Sequence, residues 1–169
     1  MDDASVPVTL RPLQAEDAQV LATWATDVEF CLVAGWRVGL SRAEYQRFHE
    51  RLIASPPDEL LRLAATYDDE LVGYVDLHGT EEHRRELGFV IGDSSRWGRG
   101  LGRSAAAAGL DHGFDVLGLD EIWAEAYDAH GRSVNIMTGL GMTEVGRGTD
   151  GMFLGEPTFY RRFVMRKAT

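Results

Sequence analysis

Apolar and polar residues alternate over Val8–Leu13 (VTLRPL), and Pro12 lacks a ladder N–H, which predicts an edge strand. In EDAQVLATWAT, Val20, Leu21 and Trp24 stand at helical spacing behind first-turn acids, which predicts a helix. CLVAGWRVGL is broken by glycine and reads as a loop or a short irregular helix. Ser41 and Glu44 make a capping-box pattern at the head of SRAEYQRFHERLIAS, an amphipathic helix that SPP stops. LLRLAATY and ELVGYVDLHGT read as a hairpin across the acidic turn DDE, and RRELGFVIG as a further strand. After the glycine-rich SRWGRGLGRS, an alanine-rich helix runs to about Leu117, with Gly118 as its cap. Glu121–Asp128 (EIWAEAYD) is a strand, RSVNIMTGLG a short helix, and TEVGRGTDGMF and TFYRRFVMRK two closing strands.

The order is therefore strand, two helices, three strands, helix, strand, helix, two strands. It predicts an α/β (α+β) architecture, one sheet with helices on both faces. A length of 169 residues fits one domain over 1–169, and neither a repeat nor a low-complexity linker divides it. No apolar run approaches the roughly 20 residues of a membrane span, and MDDASVPVTL lacks the basic start and apolar core of a signal peptide. A single cysteine, Cys31, excludes an internal disulfide and fits the cytoplasm, and packing accounts for it better than an acyl-enzyme role does. The five histidines lack metal-ligand spacing, so no metal site is expected. A net charge of -10 argues against nucleic acid as a partner and mildly favours a cationic one.

Positive charge is nevertheless concentrated at one place. Arg96, Arg99 and Arg103 flank Gly98, Gly100 and Gly102 where a strand becomes a helix. Helix N-termini present unpaired N–H groups and partial positive charge, and glycine lets a phosphate approach them without meeting a Cβ. The device suits a pyrophosphate; the plainer alternative is a tight turn. Two common phosphate loops fail on spelling. The dinucleotide fingerprint needs glycine where Arg103 stands, and the Walker loop needs a lysine that the segment lacks.

WGRGLG (Trp97–Gly102) resembles the acetyl-CoA signature of the GNAT superfamily of N-acetyltransferases, and HGRSVNIMTGLGM (His130–Met142) resembles that family's second block. With the element order, the resemblance covers about residues 8–167. Trp97 at the first position resembles most the subgroup that acetylates ribosomal-protein N-termini, the RimJ/RimL-like enzymes. The resemblance implies an acyl-CoA N-acyltransferase fold, a mixed and mostly antiparallel sheet of about seven strands. It also implies an acetyl-CoA-dependent transferase acting on a primary amine by direct attack in a ternary complex. Three positions depart from the family pattern: Trp97 replaces Gln or Arg, His130 stands where Asn is usual, and Met137 where many members carry a tyrosine that protonates the leaving thiolate.

By the same resemblance, backbone at Phe89, Val90 and Ile91 pairs with the pantetheine arm as an added strand does. Trp97, Gly98, Arg99, Gly100, Leu101, Gly102, Arg103 and Ser104 hold the pyrophosphate end, with His130 and Ser133 as further cofactor contacts. Acyl transfer needs a base for the amine proton and an N–H donor for the oxyanion. Glu86 is the first choice as base, and the N–H of Val90 as donor. Ser133 and then Tyr127 are the candidates nearest the thiol, although capping alone explains a serine there. Glu29, Trp36, Asp76 and His78 are assigned to the acceptor pocket. Acceptors open at this point are a protein N-terminus, an aminoglycoside, a polyamine and an amino-acid analogue. A CoA-binding sensor without turnover is the alternative from another class, and the C-terminal strands offer a surface for a homodimer.

Overall fold

The computed structural model describes residues 6–169. In chain order they form β1 (Thr9–Pro12), α1 (Asp17–Trp24), α2 (Val28–Ala34), α3 (Arg42–Ala54), β2 (Leu60–Tyr67), β3 (Glu70–His78) and β4 (Arg84–Ile91). There follow α4 (Leu101–Asp111), β5 (Glu121–Tyr127), α5 (Gly131–Gly139), β6 (Thr143–Phe153) and β7 (Glu156–Arg166). The strands make one seven-stranded sheet in the order β1-β2-β3-β4-β5-β7-β6. The β4–β5 pairing is parallel and the other five are antiparallel. Pro12 sits in the edge strand β1, as its missing donor requires.

The expectation for CLVAGWRVGL is corrected. A regular helix, α2, begins upstream at Val28, so three helices precede the hairpin rather than two. Asp27 caps it by accepting the Phe30 N–H at 3.1 Å, and Gly35 ends it in the left-handed conformation at φ +71°. Within α1, Leu21 and Trp24 are buried as the spacing requires, but Val20 points outward. The long helix continues past α4 as a π-helical turn at His112–Val116, and Gly118 at φ +68° follows.

Two apolar layers sandwich the sheet. On one side the small residues Ala105, Ala106 and Gly109 let α4 settle on Val75, Leu77 and Leu87, with Val134 and Met137 of α5 extending the layer. On the other side Leu21, Trp24, Phe30 and Cys31 from α1 and α2 close over Ala64, Leu71 and Tyr74. Cys31 is 1% exposed and burial pushes its thiol up, which fits packing and not nucleophilic chemistry.

His49 of α3 is 2% exposed against Trp36, ring centroids 4.9 Å apart, and its Nδ1 has no hydrogen-bond partner among the described residues. Burial, aided by the charge of Arg62, lowers its pKa from 6.5 to about 4. The folded state therefore binds this proton less readily than the unfolded chain does. Stability is full above pH 6.5 and is lost as pH falls toward 4. The contribution is on the order of 3 kcal/mol. Denaturant titrations across that window should show a smaller pH slope for His49→Leu than for wild type; equal slopes would refute the assignment.

Candidate active site

The site begins with a failure of pairing. β4 and β5 are bonded only where Arg84–Glu86 meets Glu121–Trp123. Beyond that, β4 stays on β3 as far as Ile91, and β5 stays on β7 as far as Tyr127. Each strand is held from outside while their facing edges diverge into a wedge. The Gly92 N–H donates to the Val72 carbonyl at 2.9 Å, and the β3–β4 register is continuous from Gly73–Ile91 to His78–Glu86. Antiparallel alternation then turns the N–H and C=O of Val90 toward β3 and those of Phe89 into the wedge. This corrects the expected oxyanion donor: the outward-facing N–H is that of Phe89, not Val90. The Ile91 carbonyl, which also faces outward, is taken by the Trp97 indole N–H at 3.0 Å.

At the open end of the wedge the chain turns into α4. Asp27 accepts from both the N–H and the hydroxyl of Ser94, at 2.8 and 2.6 Å, which ties the turn to the start of α2. Those bonds hold its carboxyl below the usual range, against the opposing effect of burial. Gly98 and Gly100 sit at φ +76° and +82°, a region costly for residues with a Cβ. Gly102 has another reason to be glycine, since a Cβ there would lie 3.1 Å from Ile136 Cδ1 of α5. The first N–H groups of α4, from Leu101 to Arg103, have no intrahelical acceptor.

A cleft of about 490 Å³ joins these parts. Phe89, Val90, Ile91, Trp97, Gly98, Gly100, Leu101, Gly102, Arg103, His130 and Ser133, all expected at the cofactor, line it together. Two others do not. Arg99 faces a separate polar hollow beside Asp68 and Glu70, and the Ser104 hydroxyl accepts the Val8 N–H at 3.1 Å. Arg103 reaches across to donate to the Gly139 carbonyl at 3.1 Å. Arg96 pairs with Glu70 at 3.2 Å. Arg132, which the sequence reading passed over, also lines the cleft, its guanidinium 4.8 Å above the Trp97 ring. Its place inside HGRSVNIMTGLGM, one residue past the helix start, was the available signal.

On the α5 wall, His130 stacks on Phe153 with centroids 4.9 Å apart, and its Nδ1 lies 3.2 Å from Ser133 Oγ. Burial lowers the His130 pKa, and Arg132 adds to the effect. Met137 is 3% exposed and belongs to the core.

The sheet face opposite α4 presents Glu86, Glu125, Tyr127 and Tyr160 beside the wedge. Burial raises the pKa of Glu86 and the charge of Glu125 raises it further, against His78, Arg162 and Arg84. Tyr127 stacks on Tyr160 at 4.0 Å, and burial together with their hydrogen bond pushes Tyr160 up to about 12. Glu125 Oε2 is shut off from solvent, with Arg162 Nε 3.2 Å away but out of hydrogen-bond alignment. Neither Glu125 nor Tyr160 was marked by the sequence, because each falls in an alternating strand without a distinguishing spacing. Of the acceptor residues, Asp76 is locked to Arg62 by two bonds of 2.7 and 2.8 Å, so it is not free to bind a cation. The Trp36 indole N–H donates to the Tyr74 hydroxyl at 3.2 Å, and the ring packs onto the α1–α2 layer. His78 is exposed at the end of β3 opposite Glu86, and Glu29 is exposed in the first turn of α2.

Among the described residues no cluster of three or more His, Cys, Asp or Glu side chains has metal-site geometry. No described helix is long and apolar enough to cross a membrane. Residues 8–143 match the family model described as an acetyltransferase (GNAT) domain. The chain is 24% identical over 145 residues to an uncharacterized N-acetyltransferase, p20, of Bacillus licheniformis, covering 82% of this chain and 80% of that protein. Its fold is similar to a spermidine N-acetyltransferase from Vibrio cholerae, solved in complex with CoA and spermine, at TM-score 0.78 and 18% identity over 94% of this chain and 95% of that one. An acetyltransferase of the GNAT family from Bacillus anthracis matches at TM-score 0.77 and 19% identity, over 95% of each chain.

Proposed function

Since the chain belongs to the GNAT acetyltransferase family, we propose that it carries the acetyl group of acetyl-CoA to a primary amine by direct attack in a ternary complex. The observation that carries this reading is the single cleft in which the β4–β5 wedge leads to the glycine turn. The pyrophosphate lies on the first N–H groups of α4, with Arg103 and Arg132 supplying charge. The pantetheine arm lies along the wedge edge of β4, using the free groups of Phe89. The same Phe89 N–H stabilises the oxyanion as the amine attacks, and Glu86 takes the proton of the amine.

The acceptor enters from the face that carries Glu86 and Glu125. Those carboxylates and the net charge of -10 favour an amine whose remaining groups are cationic, a polyamine or a basic N-terminus of the RimJ/RimL kind, over a neutral one. A CoA-binding module without turnover is the second reading, favoured by the buried, aprotic Met137.

Calorimetry should show CoA bound with a dissociation constant between micromolar and sub-millimolar; absence of binding to the intact protein would overturn both readings. Thiol release from acetyl-CoA should then appear with at least one amine among spermidine, spermine, an aminoglycoside and peptides with basic N-termini. Binding without release from any of these would favour the module.

A further inference from the structure

One wall of the cleft has no task in the cofactor reading. Phe30, Val33 and Ala34 of α2 line it, and Phe30 and Ala34 belong to the same apolar layer as Val90. Val90 and Glu86 alternate onto one face of β4, so α2 stands on the face from which the acceptor enters. The helix is lightly anchored there. Of its seven residues only Phe30 and Cys31 are buried, and Val28 and Leu32 are each 54% exposed. It ends at Gly35, where a Cβ would meet nothing within 4 Å.

The start of α2 is tied to the glycine turn by one carboxylate with an oxygen on each side. Asp27 Oδ1 accepts the Phe30 N–H, inside the helix, at 3.1 Å. Oδ2 accepts the N–H and the hydroxyl of Ser94, at 2.8 and 2.6 Å. From Ser94 the connection runs on in hydrogen bonds. The Trp97 backbone N–H donates to the Ser94 carbonyl at 3.2 Å, its indole N–H to the Ile91 carbonyl at 3.0 Å, and Gly98 follows directly. An ionised carboxylate near a seat for an anion weakens binding there. Capping alone does not account for it, because serine or asparagine would cap α2 without the charge.

Resting on the acetyltransferase reading, we propose that Asp27 is a positioning residue for the reaction: it carries occupancy of the glycine turn to α2, so that bound CoA fixes the wall against which the amine is placed. A diphosphate on the first N–H groups of α4 holds the turn, and Ser94 with it, in one place. The carboxylate then holds the start of α2, and with it Phe30, Val33 and Ala34. The link works in reverse as well, since coupling between two sites is reciprocal: an amine seated against α2 tightens CoA.

Hydrogen exchange read by mass spectrometry, with and without CoA, tests this without an acceptor. CoA is held at saturation, confirmed by calorimetry for each variant. In the wild type CoA should slow exchange both at the glycine turn and in α2, the latter by about tenfold, within the usual range for coupled sites. In Asp27→Asn the single amide oxygen still caps Phe30, but the amide nitrogen cannot accept from Ser94. There the turn should stay protected by CoA while the effect on α2 falls to less than about twofold. Ser94→Ala lies outside α2 and leaves its cap intact, so it decides the matter if Asp27→Asn unfolds the helix. It keeps the backbone bond to Asp27 and should fall between the two. Ser94→Thr keeps both bonds and should behave as the wild type. Failure of the wild type to bind CoA would overturn the acetyltransferase reading itself. CoA bound with α2 unprotected in the wild type would overturn the link alone. So would equal protection of α2 in every variant, since the ligand would then act on that wall by direct contact.

Discussion

Gly102→Asp is expected to abolish CoA binding and leave the protein folded. The new Cβ would be crowded by the tip of Ile136, at 3.1 Å from Cδ1, which a small rotation relieves, and would make ordinary contacts of 3.8 Å with Ile91 and Phe89. The carboxylate would stand in the cleft beside the α4 N–H groups, where the pyrophosphate is placed. Two like charges about 4 Å apart at an effective dielectric of about 20 cost about 4 kcal/mol. That is close to a thousandfold in the dissociation constant. Gly102→Ala separates size from charge and should weaken binding by about tenfold at most. Raising the ionic strength should recover part of the loss in the aspartate variant and none in the alanine one. Calorimetry with CoA, alongside circular dichroism to confirm the fold, gives the answer. Retained affinity in folded Gly102→Asp would move the pyrophosphate away from this turn.

Much of this was legible in the chain because short-range rules dominate where it was. The strands β4 and β6 fall on the segments read from the sequence, and the Ser41–Glu44 capping box forms as spelled, both of its bonds present. The glycine turn was found by composition and position. What the sequence withheld was direction. Alternation says which side chains share a face, but it does not say which neighbour each backbone N–H meets. So it took the β3–β4 register to show that the N–H facing the wedge is that of Phe89 and not that of Val90. The same holds for Asp76, whose pairing with Arg62 depends on a cross-strand register, and for Ser104, whose partner Val8 is 96 residues away. Helix α2 was read only as a loop or a short irregular helix beginning at Cys31, because seven residues carry little periodicity, although Asp27 and Gly35 marked its two ends.

Glu86 stands on the face opposite α4, whereas α5 lies on the side of the α4 layer. The wedge is the opening between the two faces, and it exists because β4 and β5 stop pairing after Glu86 and Trp123. A base at the last paired position of β4 therefore lies where the acyl end of a ligand threaded along the wedge must stop.

Glu86→Gln is accordingly expected to lower kcat by about 10²- to 10⁴-fold, with the amine that the acceptor panel identifies. CoA affinity should stay within about threefold of wild type, less than 1 kcal/mol, because the side chain lies on the face opposite α4. The pH profile gives the sharper reading. A base must be ionised to act, so wild-type kcat should fall as pH drops through the Glu86 pKa. Burial and Glu125 place that pKa above the ordinary 4.5, so the acid limb lies above the usual carboxylate range. The limb should vanish in the glutamine variant, leaving a flat and low profile. Stability distinguishes loss of chemistry from loss of structure. A carboxyl group whose folded pKa is raised holds its proton more tightly when folded, so its ionised form costs stability at neutral pH. Glutamine removes that cost, and the melting temperature of the variant should equal or exceed that of the wild type. A variant that is stable, binds CoA and keeps the wild-type acid limb would remove Glu86 as the base and turn attention to Glu125, the other carboxylate on that face.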